Sequence, residues 1–100
     1  MTVYCFDIDG TICTNTDGDY EQTVPFREAI EKVNQLFDDG HEIIFFTARG
    51  YTTGMDWFDL TKKQLEDWKV KYHQLIMGKP YADFYIDDKA VKPDEFFMGL

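Results

Sequence analysis

Four short apolar runs decide what this chain can become. Residues 2–7 and 42–47 are apolar on successive positions rather than on alternate ones, and Leu75-Ile76-Met77 and Phe84-Tyr85-Ile86 repeat the pattern more briefly. Unbroken apolarity marks strands covered on both faces, as in parallel sheets. Between the first two runs Phe26, Ile30, Val33 and Phe37 recur at helical spacing, with Pro25 in the first turn and Gly40 at the stop. A second helix is expected over about 56–71, with Leu65, Trp68 and Tyr72 on one face, Trp57 and Leu60 a turn or two earlier, and Asp56 or Thr61 as its cap. Strands separated by helices give an α/β domain, Rossmann-like, three layers deep around a central, mainly parallel sheet. Segment 12–22 breaks the pattern: Asn15-Thr16-Asp17-Gly18-Asp19 is a turn signal and reads as a short β-hairpin flap.

The 100 residues make one domain, 1–100, because a second independent core would not fit. Hydrophobic residues at 44% and aromatics at 17% are enough for a packed core. That aromatic share is high for so short a chain and leaves a homo-oligomer contact open. Ten Lys+Arg against nineteen Asp+Glu give a net charge of -9, which argues against a nucleic-acid partner tracked through its phosphates. If the substrate is anionic, a local cation must offset that charge. Cys5 and Cys13 lack the spacing of a zinc or redox pair, and Cys5, inside an apolar run, is expected to be buried. His41 and His73 flank strands and are expected to be structural or solvent-facing. No run approaches the ~20 apolar residues that span a bilayer. The opening residues show no secretory pattern. A reducing cytoplasm is therefore the expected location.

Each apolar run ends on or near a residue suited to phosphate chemistry. The first ends at Asp7 with Asp9 beyond; the second at Thr47, followed by Ala48 and Arg49; the third leads to Lys79; the fourth ends at Asp87-Asp88. In an open parallel sheet ligands bind outside the carboxyl ends of the strands, so these side chains are expected to share one crevice. Hard carboxylate oxygens there suit Mg²⁺, which takes one or two carboxylates and keeps waters. Gly10 suits a tight turn where backbone must approach a phosphate. A calcium loop does not fit: counted from Asp7 its sixth and twelfth positions are Ile12 and Gly18, and counted from Asn15 they are Tyr20 and Phe26.

Asp7-Ile8-Asp9-Gly10-Thr11-Ile12 resembles the first motif of the haloacid dehalogenase superfamily, DxDGT followed by an aliphatic residue. Thr47, Lys79 and Asp87-Asp88 match its second, third and fourth motifs in order, over about residues 3–92. The resemblance implies a Mg²⁺-dependent phosphomonoester hydrolase. In it Asp7 attacks phosphorus to form an aspartyl-phosphate, and Asp9 moves the proton. Thr47 donates to a phosphoryl oxygen, and Lys79 offsets negative charge. Substrate contacts fall on Gly10, Thr11, Ala48 and Arg49. Metal ligands fall on Asp7, Asp9 (its backbone carbonyl included), Asp87 directly, and Asp88 directly or through water. Arg49 either grips a substrate anion or pairs with an acidic neighbour. No room remains for a cap domain, so the chain is similar to the capless branch, and to its small phosphatases of capsular polysaccharide or sugar-phosphate metabolism. The implied partner is a small phosphorylated metabolite; a nucleic-acid end or a phosphoprotein is the alternative substrate.

Two rivals come from other classes. A receiver domain also gathers carboxylates, Thr and Lys around Mg²⁺, but places its paired acids after the first strand, whereas here the pair comes last. A non-catalytic phosphate- or Mg²⁺-binding protein would not need Asp9, which is present. The short connection from Lys79 to Phe84 is also at odds with a parallel crossover, which normally takes about a dozen residues or more.

Overall fold

The computed structural model describes residues 1–98. Three strands, β1 (Val3–Phe6), β2 (Glu42–Thr47) and β3 (Gln74–Met77), form one parallel sheet in the order β1-β2-β3. β2 is central. Phe6 pairs with Phe45 on one side of it, and Thr47 with Met77 on the other, so the three carboxyl ends open at one edge. The connections are α1 (Arg27–Asp38) and α2 (Phe58–Asp67), and a third helix, α3 (Pro93–Met98), follows the sheet. This is the α/β architecture that the alternation of strands and helices predicts.

α1 forms where the apolar spacing places it. Ala29, Ile30, Val33 and Leu36 are buried, and the helix ends at Gly40, where the His41 N–H donates to the Leu36 carbonyl. Asp56 rather than Thr61 starts α2, its carboxylate accepting from the Phe58 N–H. α2 stops at Asp67, four residues short of the expected end. Lys69 there takes φ +59, and the Val70 N–H closes back on the Leu65 carbonyl. Asn34 of α1 secures this turn, donating to the Lys69 carbonyl and accepting from the Lys71 N–H. His41 and His73 are structural: their Nδ1 atoms accept from the Thr2 and Ile43 N–H groups.

The core joins the sheet to what surrounds it: Phe6, Ile8, Ile12, Ile30, Val33, Ile43, Phe45 and Leu65 are among its buried members. At about 25 cal/mol per Å² of apolar surface, side chains such as Phe45 and Leu65, with no exposed area, each contribute roughly 1.5–3 kcal/mol. α3 lays Phe96 and Phe97 against Tyr4 and Phe6 of β1.

Three expectations are corrected. Residues 84–86 pair with no strand and stand in solvent, Phe84 at 82% and Ile86 at 97% exposure. Five residues after Lys79 are too few to bring the chain back parallel to the sheet with a covering helix. β1 is consequently an edge strand, and Cys5 is exposed rather than buried. The 12–22 flap closes later than expected and without a ladder. The Phe26 N–H donates to the Ile12 carbonyl and the Thr14 N–H to the Val24 carbonyl, with one antiparallel bridge at Cys13 and Pro25 and a 3₁₀ turn at Tyr20–Gln22.

Candidate active site

The motif after β1 winds into a tight turn. Thr11 and Ile12 N–H groups both donate to the Ile8 carbonyl, and Gly10 donates to the Cys13 carbonyl at φ +82, a conformation that favours glycine. The turn buries Ile8 and Ile12 and leaves Asp7 and Asp9 facing outward. The two carboxylates then meet different surroundings.

Asp7 is half-buried. Its Oδ1 accepts from the Ile8 N–H at 2.8 Å, and Lys79 Nζ stands 3.8 Å from Oδ2. Burial pushes its carboxyl above the usual carboxylate range; Lys79 and the Ile8 N–H oppose that rise without cancelling it. Lys79 reaches this place because its own N–H donates to the Thr47 carbonyl, which extends the sheet past β3, and its ammonium lies 4.3 Å from the centre of the Tyr85 ring.

Asp9 is clamped. Arg49 Nε donates to Oδ2 and Nη2 to Oδ1, both at 2.9 Å, in a bidentate pair. The Arg49 side chain has 0% exposure. Its Nη1 donates to Thr61 Oγ1 at 3.0 Å and to Gln64 Oε1 at 2.7 Å, and its guanidinium lies 4.6 Å from the Tyr20 ring centre. The Cys13 thiol faces Asp9 Oδ1 at 3.6 Å, and burial together with Asp9 pushes that thiol up to about 12.

A cavity of about 530 Å³ opens over Asp7 and Asp9. Ala48, Arg49 and Gly50 line it from the β2 end, Asn15, Asp17 and Tyr20 from the flap, Trp57 from the start of α2, and Tyr81 and Tyr85 from the segment after Lys79. Gly50, at φ +82, lets the loop fold this closely, since a Cβ there would run into the Met55 carbonyl oxygen. Thr47 is 1% exposed beneath the floor, its hydroxyl oxygen accepting from the Arg49 N–H. Gly10 and Thr11 line a separate, smaller hollow.

Thus Asp7, Asp9, Ala48, Arg49 and Lys79 come together, with Thr47 directly below. Asp87 and Asp88 do not join them. They follow the unpaired run, exposed to solvent, with Asp87 Oδ1 accepting from the Lys89 N–H. Among the described residues no three His, Cys, Asp or Glu side chains are grouped to hold a metal ion. Of the two roles open to Arg49, the geometry shows the ion pair. The site roles of Gln64, Thr61 and Tyr20 escaped the sequence, where Thr61 figured only as a candidate helix cap. Thr61 and Gln64 carried only a helix spacing of three, which says nothing of what they face, and Tyr20 lay in a flap without apolar periodicity.

Several solved structures share this fold. A structural-genomics protein from Vibrio cholerae superposes with a TM-score of 0.87 at 30% identity, over 97% of this chain and 88% of its own. A chain of a Pnkp1/Rnl/Hen1 complex matches with a TM-score of 0.62 at 21% identity, this chain spanning 33% of its length. A D,D-heptose 1,7-bisphosphate phosphatase from B. bronchiseptica, complexed with magnesium and phosphate, matches at 0.60 and 16%, over 55% of its length. No protein-family profile and no curated protein sequence matches the chain.

Proposed function

We propose that this chain, which belongs to one family with the Vibrio cholerae protein and has the haloacid dehalogenase-like fold, hydrolyses a phosphomonoester through a covalent intermediate on Asp7. The observation that carries the reading is the pairing of two carboxylates with two cations at one strand edge. Asp7 has a lysine at 3.8 Å and a free face toward the cavity, while Asp9 is held rigidly beside it by Arg49.

In the reading, an Asp7 carboxylate oxygen attacks phosphorus while the ester P–O bond breaks. The leaving oxygen takes a proton from Asp9. A water then gives a proton to Asp9 and attacks the acyl-phosphate at phosphorus, which frees inorganic phosphate and restores Asp7. Lys79 reduces the repulsion between Asp7 and the incoming phosphate. Burial keeps Asp7 poorly hydrated, which favours attack once the group is ionised.

Mg²⁺ belongs to the reading only with a change of arrangement. Both Asp9 carboxylate oxygens accept from Arg49, so of the two motif carboxylates only Asp7 is open to a cation, and Asp17 lines the cavity from the flap. The donors as gathered therefore do not make a divalent site, and no step above is routed through one. Asp87 or Asp88 would have to be brought to Asp7, where the ion would add charge neutralisation at the phosphate.

The substrate class suggested is a sugar phosphate or similar metabolite. The cavity walls offer Asn15, Asp17, Thr52 and Thr53 to hydroxyls and Tyr20, Trp57, Tyr81 and Tyr85 to ring faces. Asp17 at the mouth and the net charge of -9 disfavour a polyanionic nucleic acid. No helix of the described residues is long and apolar enough to cross a membrane.

The test is phosphate release from an aryl phosphate and a panel of sugar phosphates, with and without Mg²⁺. We expect Mg²⁺-dependent release that Asp7→Asn lowers on the order of 10³-fold or more. Release from none of these substrates, or an active Asp7→Asn variant, overturns the covalent reading.

A further inference from the structure

We infer that Arg49 and Gln64 form a positioning pair that ties the 14–24 flap to the carboxylate of Asp9, so that the flap's closure and the orientation of the proton-transferring group are one event. The inference rests on the proposed phosphatase reading for its catalytic consequence, and on geometry alone for the mechanical link.

Asp9 is tightly specified. The two oxygens of a carboxyl group offer about four lone pairs. Two are taken by the planar fork of Arg49, which fixes both the distance and the plane of the group, and the Cys13 thiol lies 3.6 Å from Oδ1. What capacity remains serves the cavity, which the partly exposed carboxylate lines.

Arg49 is specified in turn by α2. Its Nη1 is shared between Thr61 and Gln64, which stand three residues apart on one face of that helix. Gln64 then faces two ways. Its Oε1 accepts from Arg49, and its Nε2 donates to the Tyr20 carbonyl at 2.7 Å and to Thr23 Oγ1 at 3.1 Å. Tyr20 adds its ring over the guanidinium and meets Trp57 edge-on at 5.1 Å. The links from the flap to Asp9 are therefore hydrogen bonds and a ring contact at partly buried groups around the buried Arg49, and Gln64 is bonded both to the flap and to Arg49. The flap's other ties lie at its base, where the Cys13–Pro25 bridge and the hydrogen bonds joining Thr14 to Val24 and Ile12 to Phe26 close it, and no side chain of its 3₁₀ turn is buried. Opening the flap exposes Arg49, and a solvated Arg49 no longer fixes Asp9.

Gln64→Met keeps the shape and removes both the acceptor and the donor. We expect amide exchange across residues 20–24 to quicken about 10-fold or more. We also expect kcat to fall about 10-fold or more with KM changed less than about threefold, because misplacing a proton-transfer group slows chemistry rather than binding. Arg49→Lys, which keeps the charge and loses the fork, should retain more kcat than Arg49→Met. A purely structural Gln64 would lower the melting temperature and leave kcat per folded molecule and flap exchange unchanged. That result overturns the inference, as does a loss confined to KM. If the unsubstituted protein releases phosphate from no substrate, the phosphatase reading fails, and the exchange measurement alone then decides the mechanical link.

Discussion

The two sides of the cavity use similar residues and hold them in opposite ways. On the α2 side, Thr47, Arg49 and Thr61 are buried polar groups with their hydrogen bonds met inside the protein. On the side after β3, Lys79 is partly exposed, its ion pair spans 3.8 Å, and the chain beyond it runs through solvent to Asp87 and Asp88. The first side is rigid because a sheet end, a helix face and a flap all converge on Arg49. The second is tied to the sheet by the Lys79 N–H on the Thr47 carbonyl and to Asp7 by a longer ion pair, and no strand of the described residues pairs with the outer edge of β1. A charge is held by the number of elements that meet at it rather than by its type.

The largest effect should separate the two cations. Removing one partner of a buried ion pair costs about 3–5 kcal/mol, since the other charge is left without compensation. Arg49→Met should therefore lower unfolding free energy by about that much in a denaturant titration. Lys79→Met should cost less than about 1 kcal/mol, the scale of a solvent-screened pair, while still impairing phosphate release. Equal losses would erase the contrast.

Asp7 gives an intermediate effect with a defined pH window. Its folded pKa is raised, so the fold disfavours its charged form. Its contribution to stability is undiminished below the ordinary carboxylate value of about 3.9 and is lost as pH rises through the folded value. Asp7→Asn should consequently melt higher than the unsubstituted protein at pH 7 and no higher near pH 3. A variant that melts lower at both would mean that Lys79 and the Ile8 N–H outweigh burial.

How much was legible follows the same division. β2 lies where its run places it, at Glu42–Thr47, because a central strand needs only its own apolar residues and two neighbours. α1 is legible for a similar reason: Ile30 and Val33 sit on the face its spacing defines. The placement of Asp7 and Lys79 was legible from strand ends. The role of Gln64 was not, because a polar helix residue carries no sign of what it will face across the fold. Residues 84–86 misled in the other direction. Their composition is that of a strand, but a strand exists only with a partner edge, and the five residues from Lys79 do not deliver one.

The smallest effect tests that last point. Ile86 is 97% exposed, so it contributes almost no buried apolar area. Ile86→Ser should then shift stability by less than about 0.5 kcal/mol, as for a surface position, whereas Leu65→Ala in the core should cost about 2–5 kcal/mol. If Ile86→Ser instead costs more than about 1.5 kcal/mol, Ile86 is packed in solution and the outer edge of β1 is covered. Repeating the measurement in excess Mg²⁺ sharpens the test. A cation that draws Asp87 or Asp88 to Asp7 must carry Ile86 with it, and the substitution should become costly only when the ion is present.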